Sequence, residues 1–214
     1  MKKKLIIFDL DGTLIDTLSD IEHIFNYVLL QNGLEKKTKK FYKKNIGNGI
    51  ENLLRKCLPD PFIGDYDLLL NSVRDRYESQ LNTKTKIFDG IILVLEYLKK
   101  NKVKIAVISN KLHSLAVRSV KTYFNSYEMK VIGAEGGFPR KPNPDSTLHL
   151  LQYFNCRSSE ALFVGDSIVD IKTAQNANIS SVGVLWGNGI KEDFKKQQSD
   201  FILEKPQEIL KILE

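Results

Sequence analysis

The chain has 214 residues, 42% hydrophobic and 27% charged, with a formal net charge of +6, which suits one α/β domain or a core carrying a modest insert. No apolar run approaches the roughly 18 residues of a membrane span, and the run behind the opening "MKKK" is only Leu5 to Phe8, short of the roughly 7–15 residues of a signal-peptide core; a cytoplasmic location with no membrane partner is expected. The lysines fall in small groups without a nucleic-acid-binding motif, so they read as a solvated face that can draw in a small anion, with no nucleic acid as partner.

In chain order, "KKKLIIFD" predicts a buried strand and "SDIEHIFNYVLLQNG" a helix. In that helix Ile21, Ile24, Phe25, Val28 and Leu29 share one face, Ser19 or Asp20 is available to cap the start, and Gly33 to end it. Further helices are expected near Thr38 to Lys44, after "IGNG", and from about Tyr66 to Leu81. Nothing between Asp20 and Asn82 has a strand pattern, so this block reads as an all-helical insert. From Phe88 the rhythm alternates: helix "GIILVLEYLKKN", strand "VKIAVIS", helix "LHSLAVRSVKTYF", strand "KVIGA", helix "DSTLHLLQYF", strand "ALFVG", helix "SIVDIKTAQNA", strand "SVGVL", strand "FIL" and a final helix from Pro206. Near-continuous apolar strands alternating with helices mean a parallel sheet covered on both faces. Ligands bind such sheets outside the carboxyl ends of the strands.

Each strand delivers polar residues to that edge. The first ends in Asp9 and Asp11, the next of the sheet in Ser109 and Asn110. The loop after "KVIGA" carries Arg140 and Lys141, and "ALFVG" runs into Asp166, with Asp170 one helical turn on. Carboxylates gathered at one edge repel unless a cation neutralises them, and oxygen-only ligands favour Mg2+. Asp9 can then attack phosphorus. Asp11 can protonate the leaving oxygen and later take a proton from water. Gly12 allows the tight backbone path that brings amides toward phosphate oxygens, while Ser109 and Lys141 would hold the phosphoryl group.

"DLDGT" (Asp9 to Thr13), "SN" (Ser109, Asn110), "RKPNP" with Lys141, and "GDSIVD" (Gly165 to Asp170) resemble, in order, the four motifs of the haloacid dehalogenase superfamily of phosphatases. The resemblance implies a Rossmann-like core over residues 1–16 and 84–214 and a helical cap over residues 17–83. It implies Asp9 as nucleophile and Asp11 as general acid/base. It puts Mg2+ on the Asp9 side chain, the Asp11 carbonyl and Asp166, with Asp170 tuning the site from behind. Gly12, Thr13 and Asn110 would lie beside the substrate. Within the superfamily, "DGTLIDTLSDI", "IGNGIENLL", "KPNPDSTLHLL" and "SVGVLWGNG" are similar to the phosphoglycolate phosphatase subfamily, which makes Gly47, Asn48 and Gly49 candidate substrate contacts and a small phosphorylated molecule the substrate.

Plainer roles compete at several positions. Asp9 and Asp11 could cap a strand end, Ser109 could cap a helix starting near Lys111, and Asp170 could be a first-turn acid suited to the helix dipole. Gly47 to Gly49 could be an inter-helix turn. His23, His113 and His149 lack ligand spacing, Trp186 suits packing at the site's rim, and Cys57 and Cys156 read as reduced thiols. Rival functions are a pyrophosphatase, a nucleotide or sugar phosphatase, a phosphomutase, a phospho-accepting signalling module and a degenerate binding protein. Hinges are expected near Leu14 to Leu18 and Asn82 to Asp89. The assembly is expected to be a monomer or homodimer.

Overall fold

The computed structural model describes residues 3–80 and 82–213, so Leu81, where the fourth helix was expected to end, lies outside the described residues. The first strand, β1 (Leu5–Phe8), is buried along its whole length. The chain then forms two residues of ribbon, β2 (Ile15–Asp16), and enters four helices: α1 (Leu18–Gln31), α2 (Lys39–Asn45), α3 (Ile50–Cys57) and α4 (Tyr66–Gln80). It returns through β3 (Lys86–Ile87), antiparallel to β2. The alternating part follows as α5 (Ile91–Lys100), β4 (Lys104–Leu112), α6 (His113–Phe124), β5 (Met129–Ala134), α7 (Asp145–Tyr153), β6 (Ala161–Gly165), α8 (Ile168–Asn176), β7 (Ser180–Val184), α9 (Lys191–Lys196) and β8 (Phe201–Leu203). The segment Pro206–Ile212, expected as a helix, winds as a tighter 3-10 helix.

The main sheet has six strands in the order β5-β4-β1-β6-β7-β8. Every pairing in it is parallel. β1 is central, with Leu5 opposite Lys104 on one side and Ala161 on the other. Its side chains alternate between the two faces, as the pleat requires. Ile6 and Phe8 pack with Val94 and Leu95 of α5 and with Ala116 and Val120 of α6. Leu5 and Ile7 pack with Leu150 and Leu151 of α7 and Ala174 of α8. Both sheet faces are therefore covered, and each fully buried Leu, Ile or Phe contributes about 1.5–3 kcal/mol. Among the described residues, no helix is long and apolar enough to cross a membrane.

The insert has a cluster of its own, in which Ile24, Phe25, Leu54 and Val73 meet, and Leu115 of α6 joins it from the core side. Helix α1 ends as read from Gly33: Gly33 has φ +70, and the Gly33 and Leu34 N–H groups bond back to the Leu30 and Leu29 carbonyls, a Schellman ending. Its start differs from expectation. Thr17 is the N-cap residue, and Asp20 is turned away into a buried knot. There it accepts from Thr83 Oγ1 at 2.7 Å, the Lys84 N–H at 2.9 Å and Thr85 Oγ1 at 2.5 Å. Asp20 thus ties the entry of the insert to its exit, beside the β2–β3 ribbon. Ser109 is no helix cap either, because β4 continues past it to Leu112 and α6 starts only at His113.

Candidate active site

The site grows from the carboxyl end of β1. The Asp9 N–H donates to the Val164 carbonyl at 2.8 Å, which keeps the end of β1 against β6. The chain then folds over sharply: the Leu14 and Ile15 N–H groups both reach the Leu10 carbonyl, and the Gly12 N–H reaches the Ile15 carbonyl. Gly12 has φ +88, and a Cβ there would collide with the Asp166 carboxylate. Gly187 faces the same restriction, since a Cβ would run into the Gly12 carbonyl. Two glycines therefore let the first loop and the loop after β7 close around Asp166.

Asp9, Asp166 and Asp170 are all buried, and each offers a carboxylate oxygen within 4.8 Å of the others. Lys141 joins two of them, with Nζ 2.9 Å from Asp9 Oδ1 and 2.6 Å from Asp170 Oδ1. The Leu10 N–H donates to Asp9 Oδ1 at 2.7 Å. Asp166 Oδ2 accepts from the Asn188 backbone and side-chain amides, both at 2.8 Å, while Thr13 Oγ1 lies 3.5 Å from Asp166 Oδ1. Asp170 also accepts from the Ser167 N–H at 3.0 Å and Ser167 Oγ at 2.6 Å. It therefore organises the start of α8 while it holds Lys141.

Burial pushes the Asp9 carboxyl well above the usual carboxylate range; Lys141 pulls it down, and Asp170 and Asp166 push it up again. Asp166 is raised by burial and by Asp170, against the pull of the Asn188 donors. Burial works against the charge of Lys141, but Asp170 and Asp9 more than offset it and raise its pKa. Three buried carboxylates thus face one ammonium. That surplus of negative charge on hard oxygen donors fits a divalent cation such as Mg2+, which takes one or two protein carboxylates and keeps room for waters and a substrate phosphate.

In front of Asp9 and Asp11 lies a cavity of about 50 Å3. Its floor also includes Ser109, Asn110 and Lys111, and the insert supplies the opposite wall through Ile21, Phe25, Ile46, Ile50, Leu53 and Tyr77. Gly47 and Gly49 edge it. Asn48, expected beside them as a substrate contact, is exposed and does not line the cavity. Its carbonyl caps the Asn52 side chain instead, because the loop points its glycines inward and its one polar side chain outward.

Three other expectations shift. Thr13 sits fully buried against Asp166, and its carbonyl accepts from Trp186 Nε1 at 2.9 Å; it supports a carboxylate rather than lining the cavity. Gly12 lies not in this cavity but in a neighbouring one, with Trp186, Gly187 and Asn188. Asn110 spends its side-chain amide on the Gly47 carbonyl at 3.0 Å and the Lys141 carbonyl at 3.2 Å, so it clamps the insert loop to the Lys141 loop. Only its Oδ1, which has no partner among the described residues, is left for a ligand. Ser109 Oγ accepts from the Lys111 N–H at 3.2 Å and keeps its hydroxyl proton to donate.

Two residues of the site were not foreseen. Lys111 carries a side chain only 3% exposed, with Nζ 2.9 Å from Asp11 Oδ1. Its signal was weak: it follows "SN" in a chain with 32 lysines and arginines. Asn188, the holder of Asp166, lay in "WGNG" without any spacing that marked it. A second join between insert and core runs through Glu51 of α3. It pairs with Arg140 at 2.7 Å and with Arg74 of α4 at 2.8 Å, and Glu135 lies 3.4 Å from Arg74 and 3.8 Å from Arg140. Arg140 holds the Glu51 carboxyl below its ordinary range.

With this geometry in view, known proteins place the chain. The family model described as haloacid dehalogenase-like hydrolase matches residues 6–184. A phosphoglycolate phosphatase of Aquifex aeolicus is 32% identical over 212 residues, 99% of this chain and 97% of that protein. A protein of Caldanaerobacter subterraneus named "Putative pyrophosphatase PpaX" is also 32% identical, over 214 residues, 100% of this chain and 96% of that one. Among solved structures, one from Haemophilus somnus titled as a predicted phosphoglycolate phosphatase superposes with a TM-score of 0.92 at 25% identity, covering 100% of this chain and 99% of that one. The matched span runs from β1 through β7 and contains every residue of the carboxylate–lysine cluster, and the chain belongs to the haloacid dehalogenase-like hydrolases.

Proposed function

We propose that this hydrolase is a magnesium-dependent phosphomonoester hydrolase that works through an aspartyl-phosphate on a small organic phosphate, phosphoglycolate being the favoured substrate. The observation that carries the reading is the Lys141 bridge between Asp9 and Asp170, with an Asp166 oxygen within reach of both. Asp9, Asp166 and the Asp11 carbonyl would hold the metal, which supplies neutralising charge for the phosphoryl oxygens.

The protein's own groups do the rest. The Leu10 N–H and Lys141 orient the Asp9 carboxylate through Oδ1, and one carboxylate oxygen attacks phosphorus. The ester P–O bond breaks as Asp11 gives its proton to the leaving oxygen. Water then attacks the aspartyl-phosphate, Asp11 takes its proton, and the P–O bond to Asp9 breaks. Lys141 and the Ser109 hydroxyl hold the phosphoryl oxygens. Residues 17–83 act as a cap that bends at the two connections to the core and excludes water when closed.

Asp9→Asn is expected to lower turnover of an aryl phosphate by roughly 10^4-fold or more while its circular dichroism stays that of the parent; comparable turnover overturns the nucleophile. Mg2+ binding is expected to release protons, because burial raises the Asp9 and Asp166 carboxyls above the usual carboxylate range and the ion binds their charged forms. Calorimetry in two buffers of different ionisation enthalpy measures that release. The Caldanaerobacter relative supports a second reading, pyrophosphate as substrate, and a substrate panel decides between them.

A further inference from the structure

Among the residues that line the cavity before Asp9, Lys111 is the one cation. Lys141 is committed behind the nucleophile to Asp9 and Asp170. Among the described residues, the Lys111 ammonium has one carboxylate beside it, Asp11 Oδ1 at 2.9 Å, and it lies 5.1 Å from the centroid of the Tyr77 ring. It carries three N–H donors, of which Asp11 takes one. The remaining wall, from Ile21, Phe25, Ile50 and Leu53, presents only apolar side chains.

We propose that Lys111 is a specificity-determining residue that binds a carboxylate on the leaving half of the substrate, within two or three bonds of the ester oxygen. This rests on the phosphatase reading. Asp11 must lie beside the ester oxygen to protonate it, and Lys111 is one hydrogen bond from Asp11, so an anion that reaches Lys111 sits a short linker away from that oxygen. A carboxylate against the apolar wall would be costly without an ammonium to meet it. A neutral leaving group makes no such contact and leaves Lys111 paired with Asp11. Selectivity of this kind, in which the donors of a buried ammonium that Asp11 leaves over are met only by an anionic ligand, exceeds what an apolar pocket alone supplies.

The test compares kcat/KM for phosphoglycolate and for ethyl phosphate, which replaces the carboxylate by a methyl group, in the parent and in Lys111→Met. The parent is expected to favour phosphoglycolate, and the preference to fall by roughly 10- to 100-fold in Lys111→Met, mainly through KM. Lys111→Arg is expected to retain most of it. Loss of both activities in equal proportion, with the ratio unchanged, would reveal a merely structural lysine and overturn the proposal. Should Lys111→Met fail to fold, the parent alone decides: equal kcat/KM for the two esters, or pyrophosphate preferred over phosphoglycolate, overturns it. Calorimetric binding of glycolate to Asp9→Asn, and its absence in Asp9→Asn/Lys111→Met, gives a readout independent of turnover. Failure of the phosphatase reading is recognisable separately, as no turnover of phosphoglycolate, ethyl phosphate or an aryl phosphate by the parent with Mg2+.

Discussion

The sheet core and the helical insert contribute to one cavity in different ways. The core supplies its polar groups from strand ends that neighbouring strands fix in register, and it buries them: Asp9, Asp166, Asp170 and Lys141 are each at most 5% exposed. The insert supplies an apolar wall and a glycine loop, and its own cluster meets the core mainly around Leu115. Chemistry that needs groups held to fractions of an ångström belongs on the rigid part. The insert's wall sets the room in front of those groups, on a part that can be rebuilt without disturbing the carboxylates, while Lys111, the charge proposed to select the substrate, stays on β4 of the core.

The contrast can be broken most sharply at Lys141. Lys141→Met strands two buried carboxylates and is expected to cost about 3–5 kcal/mol, measured by urea unfolding without metal. Mg2+ should restore part of the loss; a variant as stable as the parent would remove Lys141 as the keystone of the core site. In the insert, Leu54, fully buried among the four helices, offers the matching perturbation. Leu54→Ala should cost about 2–5 kcal/mol, with hydrogen-exchange protection lost in α1 to α4 and kept in β1 and β6. Uniform loss across both regions would mean that the two are one cooperative unit. The smallest effect is expected at the join. Glu51→Gln removes half-exposed ion pairs worth roughly 0.2–1 kcal/mol each, so KM should rise by less than about fivefold with kcat unchanged. The difference should vanish in high salt.

The core was legible because its strands are short apolar runs between turn signals, and because four motifs name the same sheet edge. The insert was legible as helices, since the periodicity of Ile21, Ile24, Phe25 and Val28 is strong and Thr38 caps α2 by accepting from the Phe41 N–H. What escaped depends on contacts distant in sequence. The β2–β3 ribbon is two residues per strand, too brief for any alternation. Helix α9 buries only Phe194, so it has no apolar stripe. Asp20 has the identity and position of a helix cap, and only its partners at Thr83 to Thr85 reveal otherwise. The resemblance of "IGNGIENLL" makes Asn48 a candidate contact together with Gly47 and Gly49, but which way such a loop turns its side chain is set by what packs on it, here Ser167 near Gly47 and Arg140 near Gly49.

The knot around Asp20 also has a consequence for how such a protein can be remodelled. Because the outgoing and returning chains are cross-linked side by side at one place, everything between them is a cassette with adjacent ends. A graft cut at Asp16 and Lys86 that keeps the Asp20 knot would leave the parallel register of β1 with β4 and β6 intact and exchange the apolar wall of the cavity before Asp9. One set of core carboxylates and lysines could in that way be given cavities of different shape by swapping a single continuous stretch of sequence.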